Sequence, residues 1–321
     1  MKKLFIIPIN LYYYMSNFIK NSNFNSLKLK EIKTIDENTN IIYSISIFPS
    51  GNIVSVSNNK SIKIYDINFN SLQVIENAHD DIIYYVSIYD EFNFVTCSKD
   101  KNIKIWKGQK VFNELTYILN ETIQNAHNDE INKVIYDSNK KLYSCSEDKT
   151  IKIWESYNNK YQLVITLSHS NSIKSLLLLE DKNILLSSGI DGTIFWNLNN
   201  FEYIINIKDV MCYKNNSIDR IDDDRIIIGG IRLFMKVISI SKKKVIKTFK
   251  KEFWCYGIYV MEDKNIFLST AYNYINIYRS DNYQLIQTIQ FAHKSSIFGL
   301  IGLKDCLILS YGIGEIKIWS F

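Results

Sequence analysis

Histidine is scarce in this chain of 321 residues, four in all, and its placement is regular. His79, His127, His169 and His293 each follow an Ala or a Ser, and each stands 26 or 27 residues before a tryptophan: Trp106, Trp154, Trp196 and Trp319. Serine or threonine lies between in every case, and aspartate in most. Imidazole, hydroxyl and carboxylate together are the makings of a hydrolytic triad, in which a base activates a nucleophile and an acid orients the base. A catalytic centre is single, however, whereas sets that recur at one spacing describe architecture. No nucleophile elbow, HExxH, Walker loop or dinucleotide fingerprint accompanies them. The five cysteines (Cys97, Cys145, Cys212, Cys255 and Cys306) are scattered through apolar runs and none forms CxxC. Their odd number fits a reducing compartment, and the expected location is cytoplasmic, with the nucleus left open. Without clustered His, Cys or carboxylates, no metal site and no cofactor is expected.

The regularity extends beyond histidine. The stretch SKDKNIKIW (98–106) returns as SEDKTIKIW (146–154), and softer copies end at Tyr65, Trp196, Ile238, Tyr278 and Trp319. Successive spacings are 41, 48, 42, 42, 40 and 41 residues. Each unit holds short β-branched and aromatic runs broken by turn residues, four runs per unit, with no helical period. Four-stranded units at this period are blades of a β-propeller. The expected fold is all-β: a seven-bladed β-propeller of four-stranded antiparallel blades over residues 26–321. Phe321 follows the third strand of the last unit, so the run SLKLKEIKTI (26–35) is expected to complete the last blade and close the ring. The long spacing places an extended loop or longer outer strand at 107–120. Residues 1–25 read as an extension packing on the propeller, too short to fold alone. The acidic run DRIDDDR (219–225) reads as a solvated turn.

The net charge is +5, but only four of the 38 basic residues are arginine. Phosphate and base recognition lean on the bidentate guanidinium, so the balance argues against a nucleic-acid partner. No apolar run reaches membrane-spanning length, and Pro8 and Asn10 break the apolar start before any small-residue cleavage site. Neither a membrane span nor secretion is expected.

These residues resemble the WD-repeat β-propellers over about residues 26–321. The resemblance implies a buried relay in which Asp accepts the His N–H and a hydroxyl bridges His to the Trp indole. Its members would be His79, Thr96, Asp100 and Trp106; His127, Ser144, Asp148 and Trp154; and His169, Ser187, Asp191 and Trp196. The seventh unit keeps His293, Ser310 and Trp319, with Gly314 where the Asp belongs. The first offers Asn38, Ser55, Asn59 and Tyr65, and the fifth and sixth lack the relay. The resemblance also implies a partner face at the channel mouth, three and five residues beyond the His. One side would bring Trp254, Tyr256, Phe298, Tyr43, Tyr84, Ile41 and Ile82, and the other Asn132, Lys174, Glu130, Ser172, Lys214 and Asn216. The implied function is a noncatalytic scaffold that binds a protein or peptide on that face, within a larger assembly. The alternatives are a ubiquitin-pathway adaptor or ubiquitin-binding propeller and, last, a hydrolytic propeller. An adaptor that reads phosphopeptides would need an arginine cluster, and none of the four arginines lies on the mouth.

Overall fold

Runs of five to eight residues rich in Ile, Val, Tyr and Phe, punctuated by Asn, Asp, Lys and Ser, favour short strands and tight turns over helices. A computed structural model of the protein describes residues 28–321, apart from 113, 213, 215, 231–233, 251–253 and 304–305. The 1–25 extension and the start of the 26–35 run lie outside the described residues. The strands are β1 (Lys30–Ile47), β2 (Ile53–Ser57), β3 (Ile62–Tyr65) and β4 (Ser71–Ile75). Next come β5 (Ile83–Asp90), β6 (Asn93–Ser98), β7 (Ile103–Val111) and β8 (Glu114–Ile123), then β9 (Ile131–Tyr136), β10 (Leu142–Ser146), β11 (Thr150–Tyr157) and β12 (Lys160–Ser168). They are followed by β13 (Ile173–Leu179), β14 (Ile184–Gly189), β15 (Gly192–Asn197) and β16 (Tyr203–Ile207). The last are β17 (Ile218–Arg220), β18 (Arg225–Gly229), β19 (Phe234–Ser239), β20 (Lys244–Lys250), β21 (Ile258–Met261), β22 (Ile266–Ala271), β23 (Tyr274–Arg279), β24 (Leu285–Ile289), β25 (Ile297–Gly302) and β26 (Leu307–Ser320).

The expectation of seven separate four-stranded blades is corrected by the hydrogen bonding: the propeller has six sheets. Five contain four antiparallel strands each, and the sixth contains six, in the order β25-β26-β1-β2-β3-β4. The reason is the length of β1. Its first half pairs with the chain's end, from Lys30 opposite Ser320 to Asp36 opposite Glu315. Its second half pairs with β2, from Ile42 opposite Ser57 to Ile47 opposite Ile53. One strand therefore belongs to two motif copies, the first and the last, and fuses them into a single sheet. β26 also serves twice, because Ser310 and Trp319 lie side by side within it and Gly314 turns the chain at a φ of 80°. The innermost strands touch in the order β1, β5, β9, β13, β17, β21, β25 and back to β1, which closes the ring.

Apolar side chains fill the spaces between sheets. Val54, Val56 and Ile62 pack on Val86, Phe94 and Trp106, and the same arrangement recurs around the ring. A register shift recurs where each outer strand passes the last apolar residue of the motif, at Tyr65, Trp106, Trp154, Trp196, Ile238 and Tyr278. Such bulges increase local twist, which lets a flat four-stranded sheet become a blade. The surplus at 107–120 lengthens the β7–β8 hairpin, whose tip exposes Phe112. The acidic run forms the β17–β18 turn: Arg220 pairs with both Asp181 and Asp223, and Arg225 with Asp222.

Gly299 has no room for a side chain, because a Cβ there would clash with the ring and hydroxyl of Tyr311, which is itself buried. Gly299→Ala should therefore destabilise the fold by about 1–3 kcal/mol through overpacking. Denaturant titration checks this, and an unchanged midpoint would show that the Tyr311 ring can move aside.

Candidate partner-binding site

The polar groups buried between strands must all find partners, and the turn sequence S-x-D supplies them. In the β6–β7 turn, Ser98 Oγ accepts the Asp100 N–H at 3.0 Å, Asp100 Oδ1 accepts the Asn102 N–H at 2.9 Å, and Lys101 takes a left-handed φ of 70°. The other carboxylate oxygen of Asp100 is thereby aimed at the preceding loop, 2.7 Å from His79 Nδ1. His79 Nε2 lies 2.8 Å from Thr96 Oγ1, and Trp106 Nε1 donates to that same oxygen at 2.9 Å. Proton positions follow from the ends of the chain. Indole N–H only donates and carboxylate only accepts, so Nδ1 carries the proton and the Thr96 hydroxyl donates to Nε2.

The structure brings together the matching residues in the next two units. His127 Nδ1 is 2.9 Å from Asp148, its Nε2 is 2.8 Å from Ser144, and Trp154 donates to Ser144 at 2.9 Å. His169 Nδ1 is 2.9 Å from Asp191, its Nε2 is 2.6 Å from Ser187, and Trp196 donates to Ser187 at 2.7 Å. His293 and Trp319 share Ser310 at 2.5 and 2.7 Å. There the carboxylate comes from Glu315, beside Gly314. Its Oε1 accepts the Lys294 N–H at 2.7 Å and lies 3.3 Å from His293 Nδ1, without forming a well-aligned hydrogen bond. In the first unit the buried partner is Glu37, which accepts from the Tyr65 hydroxyl and from Lys63, while Asn38 is exposed. Asn59 is instead occupied in its own turn, accepting from Ser57 and Ser61. In the fifth unit Val210 follows the carbonyl capped by Lys236, the place that His holds elsewhere.

The aromatic residues expected at the mouth form a continuous arc. Tyr43 meets Tyr84 edge-on at 5.2 Å and stacks on Phe298 at 5.6 Å; Phe298 meets Tyr256 at 5.7 Å, and Tyr256 meets Trp254 at 6.4 Å. Trp254 is 40% exposed, so this end of the arc faces solvent. Ile41 and Ile82 are half-buried. On the other side Asn132 donates to Glu147 at 2.6 Å and to the Ile173 carbonyl at 2.7 Å, and Lys174 pairs with Glu147. The two halves are joined, because the Tyr84 hydroxyl donates to Glu130 at 2.8 Å and Glu130 pairs with Lys99. Lys214 does not stay with the polar half: its ammonium lies over the rings of Tyr43 and Phe298.

Comparison with known families agrees with this geometry. Residues 29–66, 70–107 and 119–155 each match the model described as WD domain, G-beta repeat. Residues 29–155 carry three WD repeats. The three matches span the first three motif copies, and no curated protein sequence matches the chain significantly. No three His, Cys, Asp or Glu side chains converge on a metal-sized site among the described residues. Nor is any helix among them long and apolar enough to cross a membrane.

Sequence reasoning missed Glu37, Glu315 and the lysine of the motif. Lys104 caps the Ala78 carbonyl and Lys152 the Ala126 carbonyl, both at 2.7 Å, just before the relay histidines. The signal was the Lys repeated two places before the aromatic, masked by the abundance of lysine elsewhere.

Burial pushes the four imidazoles below their ordinary pKa, with the Asp partners of the first three pulling the other way. His293 is held down to about 3, by burial first and then by Lys317. Burial works to raise the Asp100 carboxyl, but the hydrogen bonds from His79 and from backbone amides outweigh it and hold the group at about 2. Asp219 goes the other way: burial lifts it to about 6, against the amides of Val260 and Arg220.

Asp148→Ala leaves the His127 donor only Thr150 Oγ1, 3.0 Å away, and removes the acceptor of the Asn128 and Thr150 amides. It should cost about 1–3 kcal/mol, read as a lowered melting temperature, and an unchanged melting curve would contradict the relay at this site. An imidazole with a lowered folded pKa is neutral in the fold but takes up a proton when unfolded. Stability should therefore fall as pH drops through about 6.5 toward 3, and His293→Gln should flatten that slope in denaturant titrations across the range. Asp219 contributes the opposite sign, gaining stability as pH falls through 6, and Asp219→Asn should remove that gain.

Proposed function

We propose that this WD-repeat propeller is a noncatalytic interaction scaffold that docks a protein or peptide on the mouth of its central channel. The observation that carries the reading is the arc Tyr84–Tyr43–Phe298–Tyr256–Trp254, continuous across neighbouring strands and exposed at Trp254. Aromatic side chains bring large contact area with few rotatable bonds and dominate binding hot spots. The polar rim of Asn132, Glu147 and Lys174 supplies directional groups beside them.

The relay argues against catalysis by the His and hydroxyl sets. Thr96, Ser144, Ser187 and Ser310 are fully buried, and each already accepts an indole N–H and faces an imidazole nitrogen. A nucleophile must reach its substrate, and these hydroxyls do not reach the surface. The cysteines, unpaired and for the most part buried, support a reducing, cytoplasmic setting.

The test is affinity capture with the wild type beside a variant carrying Trp254→Ala, Tyr256→Ala and Tyr84→Ala. Partners retained by the wild type should be lost from the variant, with its melting temperature measured as the folding control. Equal capture of the same partners by a folded variant would rule out the mouth as the docking site.

A further inference from the structure

Lys214 and Asn216 belong to the connection between β16 and β17, yet they contact residues that are not their neighbours in the ring. β21 and β25 stand between β17 and β1. Nevertheless Asn216 Nδ2 donates to the Tyr43 carbonyl at 3.2 Å, from a position 173 residues away in sequence. Lys214 Nζ lies 5.6 Å from the centre of the Tyr43 ring and 5.2 Å from that of Phe298. Those two rings are stacked within 20° of parallel, so one ammonium is shared by both. Asn216 therefore reaches β1, and Lys214 places a cation on the middle of the aromatic arc.

A lysine is an expensive choice for this position. Its ammonium is strongly hydrated, and burial here pushes its pKa down, with Lys174 pushing the same way and Glu147 opposing. Released to water, it would recover that hydration. The ring faces would remain, carrying the negative side of the aromatic quadrupole outward. Carboxylates border them: Glu130 is held by the Tyr84 hydroxyl and Glu147 by Asn132 and Lys174. These carboxylates are themselves paired with Lys99 and Lys174, so it is the ring faces that favour a positive group over an acidic one.

Building on the docking reading above, we propose that the stacked Tyr43–Phe298 pair is a cation-binding subsite of the mouth. Lys214 fills it as an internal stand-in, and a lysine or arginine side chain of a basic peptide displaces it. The mouth is thus self-closed until a basic segment competes, and apparent affinity is reduced by the fraction of molecules in which the subsite is free.

Tetramethylammonium chloride and sodium acetate serve as probes, with binding followed by calorimetry or saturation-transfer NMR. Lys214→Ala should bind tetramethylammonium at least about tenfold more tightly than the wild type. Lys214→Arg, which keeps a cation in place, should behave as the wild type. Adding Phe298→Ala to Lys214→Ala should abolish the gain, and acetate should gain nothing in any variant. Lys214→Met, which keeps the stem without the charge, replaces Lys214→Ala if the latter melts early. Equal tetramethylammonium binding by the wild type and the folded Lys214 variant would overturn the subsite, as would a gain that survives Phe298→Ala. If the Trp254/Tyr256/Tyr84 variant loses its partners while Lys214→Ala shows no gain, docking at the mouth stands and the subsite falls. The converse pattern leaves the subsite standing and removes docking at the mouth.

Discussion

The propeller depends on a buried hydroxyl. In four of the motif copies one Ser or Thr oxygen accepts from an indole and faces an imidazole, so that two strands and the preceding loop meet at a single atom. Left unpartnered, the indole, the imidazole and the hydroxyl would each carry a desolvation cost. Connected, they fix one tautomer, one rotamer and one register. Where tryptophan gives way to tyrosine, the phenol makes its own connection: Tyr65 hands its hydroxyl to Glu37. The chemistry of the pair changes but the buried aromatic hydroxyl still finds a partner, whereas in the last unit His293 Nδ1 is left without a well-aligned one.

Closing the ring is a separate problem, solved with hydrogen bonds along one strand. A sheet edge left open invites pairing with other chains. β1 removes two edges at once, pairing along one half with β26 and along the other with β2. The two chain regions most distant in sequence are thereby held in one sheet, and loss of that strand would open the assembly at its seam.

The mouth inherits its character from this scaffold. In the second half of β1 and near the starts of β5, β21 and β25, aromatic residues touch one another. Rings that face each other across neighbouring strands pack as an arc, whereas the charged residues on the far side neutralise one another through Glu130 and Glu147. Lys214 interrupts the division, because its ammonium lies over the Tyr43 and Phe298 rings.

The strand type, the repeat period and the relay members were legible in the residues themselves. Alternation, turn residues and the fixed distance from His to Trp are local properties, and local properties survive in one dimension. The number of sheets was not legible. Seven copies of a motif become six sheets because β1 is shared, and hydrogen-bond partnership between Lys30 and Ser320 leaves no mark on spacing. Glu37 and Glu315 escaped for a related reason: each sits one place from the position the pattern named, and only the bend of the backbone decides which neighbour points inward. The aromatic composition of the mouth was written in the sequence; that Lys214 lies on top of it was decided by the folded connection alone, since contact across a ring is a matter of distance in space.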